Sequence, residues 1–234
     1  MREFSVAYSV AVNTIHFNHD RLDAAIVDLD GTMVDTLGDF HAALNGMLAD
    51  LWLPAVSREL VERSVGKGSE HLIRCVLADV GGPASAYEPA WAAYQAHYDR
   101  INGDHSDVYA GVPEGLAALA AHGLKLACLT NKPGAFARDL LAMKGLANRF
   151  SLVFGGDAFE RKKPDPLPLL KTCEALGTSP QRTLVIGDSS NDAQAARAAG
   201  CPVVLVTYGY NHGEPVTAVD ADGFVDRLDA LRWA

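Results

Sequence analysis

The strongest constraint on the fold is a rhythm along the chain. Short runs rich in Val, Ile and Leu alternate with amphipathic segments. The runs are "AAIVDLD" (24–30), "LKLACLTN" (124–131), "SLVFGGD" (151–157), "TLVIGDSS" (183–190) and "PVVLVTYG" (202–209), with "DGFV" (222–225) as a short sixth. Most are apolar without alternation, which predicts strands buried on both faces, as in a parallel sheet covered by helices. Between them, "PEGLAALAAHG" (113–123), "PGAFARDLLAMKG" (133–145), "DPLPLLKTCEALG" (165–177) and "NDAQAARAAG" (191–200) predict helices, most with Pro near the start and all with Gly as a stop. The expected fold is α/β, with a doubly wound, Rossmann-like parallel sheet at its core.

The rhythm breaks between residues 37 and 107. "FHAALNGMLADLWL", "EHLIRCVLADVG" and "YEPAWAAYQAHYDRI" read as helices, with no strand-like run among them. A small all-helical domain over 37–107 is therefore expected, inserted in a core made of 23–36 and 108–234. Residues 1–22 stand apart as an N-terminal extension without a motif. Tyr87, Trp91, Tyr94 and Tyr98 recur at helical spacing and are expected in the insert's core.

A formal net charge of −9 argues against nucleic acid or an anionic membrane surface as a partner. No apolar run approaches the ~20 residues that span a bilayer. No A-x-A cleavage site follows the modestly apolar N-terminus, so no signal peptide is expected. The four cysteines include no C-x-x-C pair and read as reduced core thiols, which suits a cytoplasmic protein.

Ligands of a parallel α/β sheet bind beyond the carboxyl ends of its strands. Those ends carry Asp28 and Asp30, then Thr130 and Asn131, then Lys162 and Lys163 in the loop after the third strand, then Asp188 with Asp192 four residues on. Carboxylates crowded on one rim disfavour one another's ionised form and call for a cation. With oxygen ligands only, a hard ion such as Mg²⁺ fits better than Zn²⁺. A hydroxyl, an amide and an ammonium complete a cradle for phosphate. "VGKGSE" (65–70) is not a P-loop, because position 61 is Val and position 68 is Gly.

Four segments in order, "DLDGTMVDT", "LTNKP", "KKPDP" and "GDSSND", resemble the motifs of the haloacid dehalogenase-like superfamily of phosphohydrolases, over about residue 24 to the C-terminus. The resemblance implies that Asp28 attacks phosphorus to form an aspartyl-phosphate. It implies that Asp30 protonates the leaving oxygen and then activates water. Thr130 and Asn131 would bind the phosphoryl oxygens, and Lys163, directly before Pro164, would neutralise charge. Asp188 would complete an Mg²⁺ shell with Asp28 and the Asp30 carbonyl. Asp192 would act through water or orient Lys163. Asp35 is expected as a turn residue or helix cap at the domain junction, not a ligand. The insert resembles the family's cap, with "VGKGSEHLI" as its specificity loop: Gly66 and Gly68 for close backbone approach, and Lys67 or a helix amide for a second anion.

Three stretches, "VGKGSEHLI", "GGDAFERKKPDPLPLL" and "AAGCPVVLVTYGYNHGE", resemble a subgroup of that superfamily, the proteobacterial phosphoglycolate phosphatases. This implies hydrolysis of 2-phosphoglycolate with Mg²⁺. "TLGDF" after Asp35 departs from the subgroup, which more often has a proline there. A small phosphorylated metabolite is the expected partner of a monomer or homodimer. The alternatives are a phosphatase or phosphoglucomutase for a sugar phosphate such as N-acetylmuramic acid 6-phosphate, and, from another class, a phosphate-accepting signalling receiver. Chain length, the insert and the D-x-D-G-T segment weigh against the last.

Overall fold

The structure, a computed structural model, describes residues 16–17 and 22–233. Within the N-terminal extension it shows a two-residue strand, β1 (His16–Phe17); most of that segment lies outside the described residues. The core begins with β2 (Ala24–Val27) and β3 (Val34–Asp35). Four helices follow: α1 (Leu37–Asp50), α2 (Arg58–Ser64), α3 (Ser69–Asp79) and α4 (Tyr87–Ile101). The chain returns through β4 (Asp107–Val108) and α5 (Val112–Ala121) to β5 (Lys125–Leu129), α6 (Gly134–Met143) and β6 (Leu152–Phe154). It closes with α7 (Leu167–Leu176), β7 (Thr183–Gly187), α8 (Ser190–Ala199), β8 (Val203–Val206), β9 (Gly223–Val225) and β10 (Arg232–Trp233).

Six parallel strands form the main sheet in the order β6-β5-β2-β7-β8-β9. All six expected runs are in it, and the four expected core helices lie within two residues of their expected ends. Successive strand residues point to opposite faces, and both faces are covered. Ala25 and Val27 of β2 pack with Leu116 and Leu119 of α5 and Leu140 of α6. Ala24 and Ile26 pack with Leu169 and Cys173 of α7 and Ala196 of α8. Every residue of β2 is therefore buried, which is why the run is apolar without alternation. The chain leaves β2 towards β5 and β6, then crosses back to β7. That reversal is the topological switch point where such sheets bind ligands.

The four inserted helices have a core of their own, including Leu44, Met47, Ile73, Val76, Tyr94 and Tyr98. Tyr94 and Tyr98 stack at 5.5 Å between centroids, while Tyr87 and Trp91 are half-buried at its edge. Two features of the junction carry no sequence signal. The connectors β3 and β4 pair antiparallel, Val34 with Val108 and Asp35 with Asp107, a ribbon too short to leave a periodic pattern. Buried Asp39 accepts the backbone N–H groups of Gly103 (2.9 Å) and His105 (2.7 Å), tying the returning connector to α1. Asp35 accepts the Leu37 N–H at 3.2 Å, a turn contact one residue ahead of Thr36, which is the N-cap of α1. The Tyr210 hydroxyl donates to the same oxygen. None of the four cysteines is in a disulfide. Among the described residues no helix is long and apolar enough to cross a membrane.

Candidate active site

The ladder between β2 and β7 runs one residue beyond the strand, with the Asp28 N–H donating to the Ile186 carbonyl at 2.9 Å. The chain then folds around the Leu29 carbonyl, which accepts from the N–H groups of Met33 (2.9 Å) and Val34 (3.1 Å). This turn needs glycine at position 31, where φ is +83° and a Cβ would lie 2.1 Å from Asp188 Oδ2. Gly31→Ala should cost about 1–3 kcal/mol of stability, read from a urea midpoint, because backbone strain and displacement of Asp188 coincide.

Asp188 follows β7 and is fixed by the Thr32 hydroxyl (3.2 Å) and the Tyr210 N–H (2.6 Å). Asp192 has two tasks. Its Oδ2 accepts the Ser189 N–H (3.2 Å) and hydroxyl (2.8 Å), a capping box that starts α8. Its Oδ1 accepts the Lys163 ammonium at 2.7 Å. Gly187 makes room for this, since a Cβ there would meet Asp192 Cγ at 2.3 Å. Lys163 is buried, whereas Lys162 is exposed. The Lys163 Nζ also donates to the Leu129 carbonyl at 2.9 Å, and it lies 2.9 Å from Asp28 Oδ1. The Asp28 contact is one of charge, without a directed hydrogen bond.

One oxygen from each of Asp28, Asp188 and Asp192 lies within 4.8 Å of the other two. Burial pushes the Asp28 carboxyl up to about 7, and Asp192 and Asp30 add to this while Lys163 opposes it. Burial, then Asp192 and Asp28, raise Asp188 well above the ordinary carboxylate range. Burial works against the Lys163 ammonium, yet the charges of Asp192 and Asp28 outweigh it and hold its pKa above the usual lysine value. Three converging carboxylates thus face a single ammonium, in a cluster without His or Cys. That donor set fits a hard divalent cation.

Thr130 follows β5, buried, and its hydroxyl accepts the Lys132 N–H at 3.2 Å. The Asn131 amide donates to the carbonyls of Lys163 (2.8 Å) and Gly66 (2.9 Å), and its oxygen accepts the Lys163 N–H at 3.1 Å. Its side chain thus joins three loops, which leaves its backbone as the group it can turn to a ligand. Asn191 donates to the same Gly66 carbonyl at 3.2 Å.

A cavity lies between this rim and the insert. Asp28, Asp30, Thr130, Asn131 and Lys132 line it from the core. Phe40, Val65, Gly66, Gly68, Ser69 and Leu72 line it from the insert. Lys67, expected here, is exposed and borders an outer groove with Arg74, Arg161 and Lys162. The buried ammonium in the cavity belongs to Lys132, within "LTNKP", which motif spacing alone does not single out. A signal was present: a lysine just ahead of α6 opposes that helix's dipole and needs a partner.

A doubly wound sheet with this carboxylate-rich rim and a helical insert defines a class. A family model for haloacid dehalogenase-like hydrolases matches residues 25–206, and the chain belongs to that family. Among its relatives, the phosphoglycolate phosphatase of Thiobacillus denitrificans is 45% identical over 210 residues, covering 88% of this chain and 92% of that protein. That of Nitrosospira multiformis is 42% identical over 210 residues, with 88% and 92% covered. A crystal structure from Haemophilus somnus, described as a predicted phosphoglycolate phosphatase, matches with a TM-score of 0.86 at 32% identity, covering 89% of this chain and 96% of that one.

Proposed function

We propose that this enzyme is an Mg²⁺-dependent phosphatase that converts 2-phosphoglycolate to glycolate and inorganic phosphate through an aspartyl-phosphate. The convergence of Asp28, Lys163, Asp188 and Asp192 beside a cavity that also holds Asp30 carries the chemistry. The named activity of relatives that match most of the chain supports the substrate. The insert, residues 37–107, serves as a cap over the core of 23–36 and 108–234.

Asp28 attacks phosphorus, the bond from phosphorus to the ester oxygen breaks, and Asp30 gives its proton to the departing glycolate oxygen. Asp30, now ionised, takes a proton from water as that water attacks the aspartyl-phosphate; inorganic phosphate leaves and Asp28 is regenerated. Thr130 and backbone N–H groups around Asn131 hold the phosphoryl oxygens. Lys163, oriented by Asp192 and Leu129, neutralises charge on Asp28 and the phosphoryl group. The cation would be held by Asp28, the Asp30 carbonyl and Asp188, with Asp192 behind them. Bound there, it supplies charge neutralisation for the phosphoryl oxygens.

The direct test is phosphate release with Mg²⁺ from 2-phosphoglycolate, sugar phosphates, nucleotides and pyrophosphate. The expected preference for 2-phosphoglycolate is at least about tenfold, roughly 1.4 kcal/mol of differential transition-state binding. A smaller preference would demote the substrate, and full activity in EDTA would exclude the cation.

The crowded carboxylates also predict a pH-dependent stability. A carboxyl raised from 3.8 to about 7 in the folded state favours folding while protonated. That contribution is complete below the ordinary carboxylate range and is lost as pH rises through about 7. Mg²⁺ binds the ionised form, so it should raise the melting temperature more at pH 8 than at pH 6. Melting curves with Mg²⁺ and with EDTA at both pH values check this; an equal increment would contradict it.

A further inference from the structure

Lys132 has no part in the chemistry above, yet it is 4% exposed and lines the cavity beside Asp30. Its Nζ donates to the Tyr98 hydroxyl at 2.6 Å and to Asp30 Oδ1 at 2.9 Å. It also lies 4.5 Å from the Phe40 ring centroid and 4.7 Å from that of Tyr98. An ammonium buried this deeply is costly unless a charge and hydrogen bonds meet it, and here an aromatic cage contributes as well. The surroundings of Nζ thus suit one kind of counter-ion, a carboxylate entering from the cavity. The one in place, Asp30, has a second task at the ester oxygen.

We propose that Lys132 recognises the carboxylate of the substrate. On binding, its ammonium exchanges Asp30 for the substrate carboxylate, while Tyr98 and Phe40 hold Nζ in place. The exchange parts Asp30 from the ammonium; a proton from solvent then neutralises it, and Asp30 meets the ester oxygen as the acid, so an acid-bearing substrate completes the arrangement that its own turnover needs. This rests on the reading that the substrate is a phosphorylated hydroxy acid. The placement supports it. Thr130 and Lys132 stand two residues apart on one loop, so the two ends of a two-carbon phosphoester are met from the same segment. Gly68 and Ser69, at the amino end of α3, line the cavity opposite and add the positive end of a helix dipole. Lys67, the more obvious candidate by sequence, does not line the cavity.

The test compares 2-phosphoglycolate with 2-hydroxyethyl phosphate, the same ester with a hydroxymethyl group in place of the carboxylate. In Lys132→Met, kcat/KM should fall at least about tenfold further for 2-phosphoglycolate than for the neutral-tailed ester, the scale of a lost hydrogen bond to a charged group. Tyr98→Phe, which removes only the hydroxyl holding Nζ, should move the same ratio in the same direction, and decides the matter if Lys132→Met does not fold. Equal losses on both esters would make Lys132 a positioning residue for Asp30 and overturn the proposal. A wild-type enzyme that does not prefer 2-phosphoglycolate would overturn the substrate reading and this inference with it. A wild-type preference that survives in both variants would overturn the inference alone.

Discussion

Asp28→Asn should abolish phosphate release, with a loss of about 10⁴-fold or more, as for other removed nucleophiles. The carboxamide keeps the shape of the side chain, but its neutral oxygen is a poor nucleophile. The charge facing Lys163 at 2.9 Å is also gone. A melting curve separates this loss from unfolding, since the change removes a carboxylate whose ionised form burial and its acidic neighbours disfavour against the pull of Lys163. In EDTA at pH 8 the variant should melt at or above the wild-type temperature. Intact-protein mass spectrometry after mixing with 2-phosphoglycolate should find no phosphorylated protein. A phosphoenzyme in this variant, or activity above about one per cent, would require another nucleophile.

Asp30→Asn is expected to be slow for the opposite reason. General acid–base catalysis contributes about 10²–10⁴-fold, and here both half-reactions use one residue. Asp28 remains, so phosphorus can still be attacked, while water then meets the aspartyl-phosphate without a base. Protein carrying one phosphoryl group should accumulate and persist for many wild-type turnover times. The pair of variants thus share low turnover and differ in phosphoenzyme occupancy, near none in one and near stoichiometric in the other. Direct attack by water on the substrate predicts no phosphoenzyme in either. Loss of Asp30 also removes the ion pair of Lys132, but the Tyr98 hydroxyl at 2.6 Å still holds the ammonium.

Much of this arrangement was legible before the structure. Asp28, Thr130 and Asp188 stand at the carboxyl ends of β2, β5 and β7, which lie side by side. Strand ends and switch points follow from hydrophobic pattern and topology rules, so a rim assembled from them can be anticipated. The helical insert was legible for a similar reason, since its period changes from that of the core. Asp192 illustrates the limit. Its motif points to a role beside Lys163, which one oxygen meets, while the capping box that the other oxygen closes at the start of α8 is seen only in the fold. Asn131 illustrates another. It belongs to the phosphate motif, yet its side chain is committed to joining the Lys163 loop and the Gly66 carbonyl.

The sequence by itself determined the family, the runs that become the sheet's strands and which residue types stand at their carboxyl ends. Each of these depends on local periodicity or on motifs of a few residues. Tertiary structure alone decided which lysine faces the cavity. Lys132 and Asp30 are 102 positions apart, and Lys132 reaches Tyr98 across the seam between core and insert. Lys67, two glycines beside it, points away instead. Which lysine is inside depends on how two distinct hydrophobic cores pack, and that packing leaves no periodic trace in either segment.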